Sequence, residues 1–256
     1  MFEPAVPSRR TGASTLPGLA DRLALARAEA PAGVRGPALP LMLGELEVLA
    51  EPIRRIARRM EIPQAAEPKL VMLLPGFATH PIRMRYMARQ LERAGHKVKR
   101  WGMGFNLGAS EEAFERLSAR VEAIHRRYGR RMVLVGWSLG GIFAREMAKR
   151  HPEIIEKVIT MGSPFSGDPH ANNAWRAYQF VAGHPVDHPP IQADLAAKPP
   201  VETVAFWSAR DGIVSPRCAR GKPGERDRAV ALRCNHLGFA YSPQCIEAVL
   251  RELESA

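Results

Sequence analysis

Three residues far apart in the chain have the types needed to attack a carbonyl carbon and break the acyl bond beside it: Ser138 in LVGWSLGG, Asp211 in SARDGIV and His236 in NHLGF. A serine hydroxyl is a poor nucleophile until a base takes its proton, and an imidazole serves as that base when a carboxylate orients it. Ser138 sits in a Gly-x-Ser-x-Gly run where an apolar stretch, MVLVGW, gives way to a helical one. A serine at such a bend adopts a strained backbone that is tolerated only where its neighbours lack side chains; Gly136 and Gly140 are those neighbours, and Gly141 adds room. Taken singly, Asp211-Gly212 is a common turn pair and His236 an ordinary surface or capping histidine. Their order (Ser, then Asp, then His), each just beyond a predicted strand, sets all three on one sheet edge.

The same bend aims the first N–H groups of the following helix at a point where a carbonyl oxygen would gain negative charge. Leu139 N–H is one expected donor. The second is expected from LLPGFATHP, where Gly76 lets the backbone approach and Phe77 N–H points inward.

Positioning these groups requires a sheet. Predicted strands cover Lys69–Leu74, His96–Trp101, Arg131–Gly136, Lys157–Gly162, Thr203–Ser208 and Arg228–Cys234, with helices over Ile82–Ala94, Glu111–Tyr128, Ile142–Arg150 and Pro243–Leu253. Strands such as VMLL and MVLV are apolar on both faces, which suits parallel strands covered on each side. The expected fold is α/β: a doubly wound, mostly parallel sheet of about six strands with helices on both faces. Pro164–Pro200 breaks the rhythm and is expected to form a short lid or substrate-recognition segment. Its Trp175, Tyr178 and Phe180, with Trp137 and Phe165 near the bend, read either as the wall of an apolar substrate pocket or as core packing.

Residues 68–256 therefore form the main domain. Residues 1–38, rich in Pro, Gly, Ala and Arg, read as a flexible arm with one short helical candidate at Leu19–Glu29. Residues 39–67 read as a helical extension: Met42, Leu46, Leu49, Ile53, Ile56 and Met60 recur at helical spacing, and Glu45, Glu47 and Glu51 precede Arg54, Arg55, Arg58 and Arg59. Pro52 should kink it. Its apolar stripe is expected to pack against the main domain or, through 42–60, to lie peripherally on a membrane or a partner.

The net charge of +11 is mostly arginine spread along helical segments. No cysteine/histidine finger, RNP-like strand or basic tail accompanies it, so no nucleic-acid partner is expected. No apolar run approaches the roughly 20 residues of a bilayer span, and Met1–Arg10 shows no secretory h-region, so the expected location is cytoplasmic. Cys218 and Cys234 could form one clamp, but free thiols are the expected state. His184, Asp187 and His188 form an H-x-x-D-H cluster, with Asp168 and His170 upstream, on a proline-flanked loop that no helix fixes; no metal site and no cofactor are expected. His80, His96, His125 and His151 have no paired acid at a telling spacing, and no phosphate-cradling glycine loop follows the first strand.

From Lys69 to Leu253 the chain resembles the α/β-hydrolase superfamily, and within it lipase-like bacterial serine esterases. The resemblance rests on LLPGF, WGMGFNLG, LVGWSLGG, VITMGSPFSGDP, SARDGIV and NHLGF. It implies Ser138 as nucleophile, Asp211 as acid, His236 as base, and Phe77 and Leu139 as oxyanion donors. Many lipases of this kind carry His-Gly where this chain has Pro75-Gly76, and His or Tyr where it has Trp137. The expected activity is cleavage of carboxylic esters with lipid-like or apolar acyl groups. The alternatives are acyl transfer by the same three residues and a non-catalytic, hydrolase-like binding protein.

Overall fold

The computed structural model of the chain describes residues 17–51, 53, 60–191 and 193–255. The strands are β1 (Leu70–Leu74), β2 (Lys97–Arg100), β3 (Met132–Trp137), β4 (Ile155–Met161), β5 (Glu202–Ser208) and β6 (Arg228–Leu232), apolar in the centre of the sheet and more polar and exposed at its edges, β2 and β6. Every pairing is parallel, in the order β2-β1-β3-β4-β5-β6. Because side chains alternate across a strand, both faces of β1 and β3 need cover. Val71, Leu73, Val133 and Val135 pack under Met87, Leu91, Ile246 and Val249. Leu70, Met72, Met132 and Leu134 pack on the other face under Phe114, Leu117, Phe143 and Met147.

Those covering residues belong to α3 (Arg85–Arg93), α4 (Glu111–Tyr128), α5 (Leu139–Arg150) and α8 (Pro243–Glu254). Ser110 caps the start of α4 by accepting from Ala113 N, and Gly129 ends it in the left-handed region. Helix α5 begins directly at Leu139, three residues earlier than its apolar period suggests, since the tight bend at Ser138 is already its cap. From β1 the chain steps outward to β2, then returns to the opposite side of β1 as β3. The order of strands reverses between β1 and β3, and the crevice at their C-terminal ends is where ligands bind in open sheets of this kind.

Two insertions surround that crevice. Between β4 and β5, the long segment expected as a lid carries α6 (Trp175–Ala182), and α7 (Pro216–Arg220) follows β5. Arg145 of α5 anchors the far end of the lid segment. Its buried guanidinium donates to the carbonyls of Leu195, Ala196, Ala197 and Glu225 and lies 4.1 Å from the centre of the Phe165 ring. Burial pulls its pKa down to about 10.

The N-terminal part departs from its sequence reading. Residues 17–38 are not a loose arm: α1 (Leu19–Ala26) docks on α6, where Arg22 donates to the carbonyls of Phe180 and Val181 and Gln179 donates to that of Leu25. Residues 1–16 lie outside the described residues. The stripe expected as one helix is instead α2 (Leu39–Gly44) followed by a 3-10 stretch, Glu45–Ala50. Met42, Leu46, Leu49 and Ile53 face outward, while Glu45 and Glu51 are buried. The polarity is inverted because the Glu45 carboxylate has backbone N–H groups to satisfy inside the domain. Pro52, Ile56 and the four arginines between residues 54 and 59 lie outside the described residues. Cys218, Cys234 and Cys245 are free and buried, so the Cys218–Cys234 clamp is not formed.

Replacing Arg145 with alanine removes one charged donor from four carbonyls. The expected cost is about 3 kcal/mol or more. For a chain of this size that corresponds to a melting temperature lowered by roughly 6–12 °C, which thermal denaturation followed by circular dichroism measures.

Candidate active site

Ser138 connects β3 to α5 with φ 53° and ψ −123°. A non-glycine residue in that region costs on the order of 1–3 kcal/mol, so the surrounding structure must hold it there. Its N–H donates to Met161 O at 2.8 Å and its carbonyl accepts from Gly141 N at 2.9 Å. The bend also depends on close backbone contact. A Cβ on Gly136 would lie 2.3 Å from Gly140 O, and one on Gly140 would lie 2.3 Å from Leu74 O. A side chain on Gly136 would force β3 and α5 apart, and one on Gly140 would force α5 away from the end of β1.

Asp211 and His236 leave the ends of β5 and β6, adjacent strands whose ladder closes at Ser208 and Leu232. Their side chains meet: His236 Nδ1 lies 2.8 Å from Asp211 Oδ2. Asp211 is fully buried, and its Oδ1 accepts from Ile213 N at 2.9 Å and Val214 N at 2.8 Å, so the carboxylate is locked in its own turn. Trp137, the residue before Ser138, donates its indole N–H to His236 O at 3.0 Å and ties the His236 loop to the serine bend. Desolvation lowers the His236 pKa, but the Asp211 charge and hydrogen bond and the nearby Glu45 charge outweigh it, and the net shift is upward.

On the other side of the bend, the loop after β1 reaches Ser138 closely enough that a Cβ on Gly76 would lie 3.2 Å from Ser138 Cβ. The loop holds Ala78 at φ 52°, a second positive-φ residue that is not glycine. Asn106, fully buried, secures it: Asn106 Nδ2 donates to Pro75 O at 2.8 Å, Ala78 N donates to Asn106 O at 2.7 Å, and Asn106 N donates to Thr79 O at 3.1 Å. Among the described residues, no group accepts from the N–H of Phe77 or Leu139.

An apolar cavity of about 90 Å³ opens at this junction. Phe77, Ser138 and Leu139 line it from the serine bend and the β1 loop, Ile213 and Val214 from the loop that holds Asp211, and Trp175 and Tyr178 from α6. The Tyr178 hydroxyl accepts from Ala109 N at 3.1 Å, and burial pushes its pKa up to about 12. Two residues expected in the wall are elsewhere. Trp137 lies behind the bend with its ring 5.9 Å from that of His236, and Phe165 is buried beneath Arg145; each is drawn away by a polar partner. Phe180 is half-buried and outside the wall. The H-x-x-D-H residues do not converge: His184 faces the carbonyls of Pro185 and Ala109, whereas His188 pairs with Asp187 at the surface. Among the described residues no three His, Cys, Asp or Glu side chains gather as a metal cage.

A sequence profile described as the alpha/beta hydrolase fold matches residues 69–183. No curated protein matches the chain in sequence. Among solved structures, the mature Bacillus licheniformis lipase BlEst2 superposes with a TM-score of 0.56 at 16% identity, covering 77% of this chain and 96% of that one. Aspergillus fumigatus lipase B gives 0.55 at 16% identity, covering 74% and 53%. The monoacylglycerol lipase of Paleococcus ferrophilus gives 0.51 at 17%, covering 77% and 99%. The chain has the α/β-hydrolase fold.

Two polar residues at this hydrolase-fold site carry no sequence signal of their own. Asn106 lies within WGMGFNLG, but nothing in its spacing marks it as the pin of the loop before it. Glu45 looks like an ordinary acid in the first turn of an amphipathic stretch. A ring-resolved proton titration of His236 is expected to place its midpoint above the ordinary histidine value of 6.5. In Asp211→Asn the midpoint should fall, because desolvation then meets less opposing charge.

Proposed function

We propose that the chain is a serine carboxylester hydrolase acting on apolar acyl esters. The observation that carries this reading is the Ser138 bend: a strained serine at the mouth of an apolar cavity, with the Asp211–His236 pair joined to it through Trp137. With Nδ1 held by Asp211, His236 uses Nε2 to take the Ser138 proton as Oγ attacks the ester carbonyl. The N–H groups of Phe77 and Leu139 hold the oxyanion. Collapse of the tetrahedral adduct expels the alcohol, which carries off the proton from His236. Water, deprotonated by the same imidazole, then attacks the acyl-enzyme and releases the acid and free Ser138.

Chain length follows from the cavity. The small apolar cavity beside Ser138 favours short and medium acyl chains over long fatty ones in this reading. A fluorophosphonate probe is expected to label wild type but not Ser138→Ala, and Ser138→Ala should lose about 10³-fold or more in kcat. On a p-nitrophenyl ester series, kcat/KM should peak between butanoate and octanoate and fall for palmitate. Absence of labelling in wild type overturns the reading, and products formed with an added alcohol in place of water would reassign it to acyl transfer.

The N-terminal segment supports a second reading, that this face lies on an anionic lipid surface. Leu39, Leu43, Leu46, Leu49 and Ile53, at spacings that share one side, are exposed, and Arg54, Arg55, Arg58 and Arg59 follow in the sequence. No helix among the described residues is long and apolar enough to cross a membrane, so contact would be peripheral. Vesicles containing phosphatidylserine should carry wild type upward in flotation. Leu43→Ser/Leu46→Ser/Leu49→Ser should remain at the bottom of the gradient, and equal flotation of the two overturns the contact.

A further inference from the structure

We propose that Glu45, on the N-terminal segment, is a positioning residue that holds the acid loop and the base loop at the separation the Asp211–His236 pair requires. Its side chain reaches both. Oε1 accepts from Gly212 N at 2.9 Å and from His236 N at 2.7 Å, while Oε2 accepts from Leu237 N at 2.9 Å. Glu45 is only 6% exposed. A buried carboxylate is costly unless hydrogen bonds replace its water, and here the backbone of two separate loops supplies them.

This bridge matters because the sheet does not provide one. The β5–β6 ladder ends at Ser208 and Leu232, before either Asp211 or His236 is reached. Beyond that point the Asp211 loop is held by its own turn, where Asp211 Oδ1 takes Ile213 N and Val214 N, and by residues 171–173, where Asn173 N donates to Ile213 O; the His236 loop is held by Asn235 Oδ1, which takes Gly238 N, and by the Trp137 indole, and the two loops meet directly at the Asp211–His236 contact. Glu45 joins the residue after the acid to the base itself and the residue following it. The segment bearing Glu45 is fitted against both loops. A Cβ on Gly212 would lie 2.4 Å from Leu41 O, and Asn235 Nδ2 donates to Gly44 O at 2.9 Å. The charged groups acting on His236 are Asp211 and Glu45. An imidazolium formed during turnover thus has a second carboxylate near it, supplied from outside the sheet domain.

This role rests on the hydrolase reading, and the experiment separates the two. Full-length Glu45→Gln and Glu45→Ala are compared with wild type for kcat, KM and the pH profile of kcat/KM on p-nitrophenyl butyrate, for melting temperature, and for the His236 ring titration. A displaced base is expected to lower kcat by up to about 10²-fold in Glu45→Ala with KM within about twofold. Glu45→Gln, which keeps the shape and one acceptor oxygen, should retain an intermediate kcat. In both, the acidic limb of the profile should move to lower pH, as one of the two charges favouring the protonated imidazole is gone. Lower melting temperatures with wild-type kcat and an unmoved limb would make Glu45 merely structural and overturn the proposal. Should Glu45→Ala fail to fold, the limb and ring titration of Glu45→Gln decide alone. Unlabelled, inactive wild type would instead refute the hydrolase reading, and the ring titration would still report whether Glu45 acts on His236.

Discussion

A single residue held at positive φ governs the arrangement of this molecule. The Ser138 backbone is stable only because β3, α5 and the end of β1 approach at distances that admit no side chain on Gly136 or Gly140. That requirement fixes where α5 begins and how closely it lies over β1 and β3. It also places the mouth of the cavity at the point where strand order reverses. Strain of this kind persists only when many contacts over-determine it. Here they include the Ser138 N–H bond to Met161 O on the neighbouring strand, the Gly141 bond back to Ser138 O, and the Trp137 indole bond to His236 O.

The sheet and the three widely separated residues were legible because each leaves a local trace. Strands buried on both faces read as unbroken apolar runs, and in a parallel sheet the residues after such runs share one edge whatever their separation in the chain. Ser138 and Asp211 each follow a run of that kind, while His236 follows the partly exposed edge strand β6. The cavity wall was harder to read, since an aromatic residue near the bend can face the cavity or the core with the same sequence pattern. Trp175 and Tyr178 face the cavity from α6, while Trp137 and Phe165 turn away because an imidazole-loop carbonyl and a guanidinium draw them. Those partners lie about 100 and 20 residues away, respectively, beyond any periodicity.

The N-terminal segment inverts the usual rule that an amphipathic stretch buries its apolar stripe. Hydrophobic spacing alone points Met42, Leu46 and Leu49 inward, yet these are exposed and Glu45 is enclosed. The reason is local supply and demand for hydrogen bonds. Loops at the end of a parallel sheet leave N–H groups without ladder partners, and each such group buried unpaired costs on the order of 1–3 kcal/mol. One carboxylate that accepts from Gly212, His236 and Leu237 relieves three of them. Burying the leucines of the same turn would not. No sequence period records such a demand, because the donors lie more than 160 residues from their acceptor.

The β4–β5 segment and the N-terminal segment therefore both reach the site. The lid provides the wall through Trp175 and Tyr178, while α1 braces the lid from outside through Arg22 and Gln179. The segment that follows α1 then carries Glu45 to the acid and base loops. Asn173 makes the connection between the two direct: its Nδ2 donates to Pro37 O of the N-terminal segment at 3.0 Å and to Gly212 O of the acid loop at 2.8 Å. The order of the cavity wall and the spacing of the Asp211–His236 pair thus share a brace that lies outside the sheet domain. A disturbance of residues 37–45 reaches both the cavity wall and the Asp211–His236 pair. The sheet sets the serine bend, and the N-terminal segment completes the geometry around it.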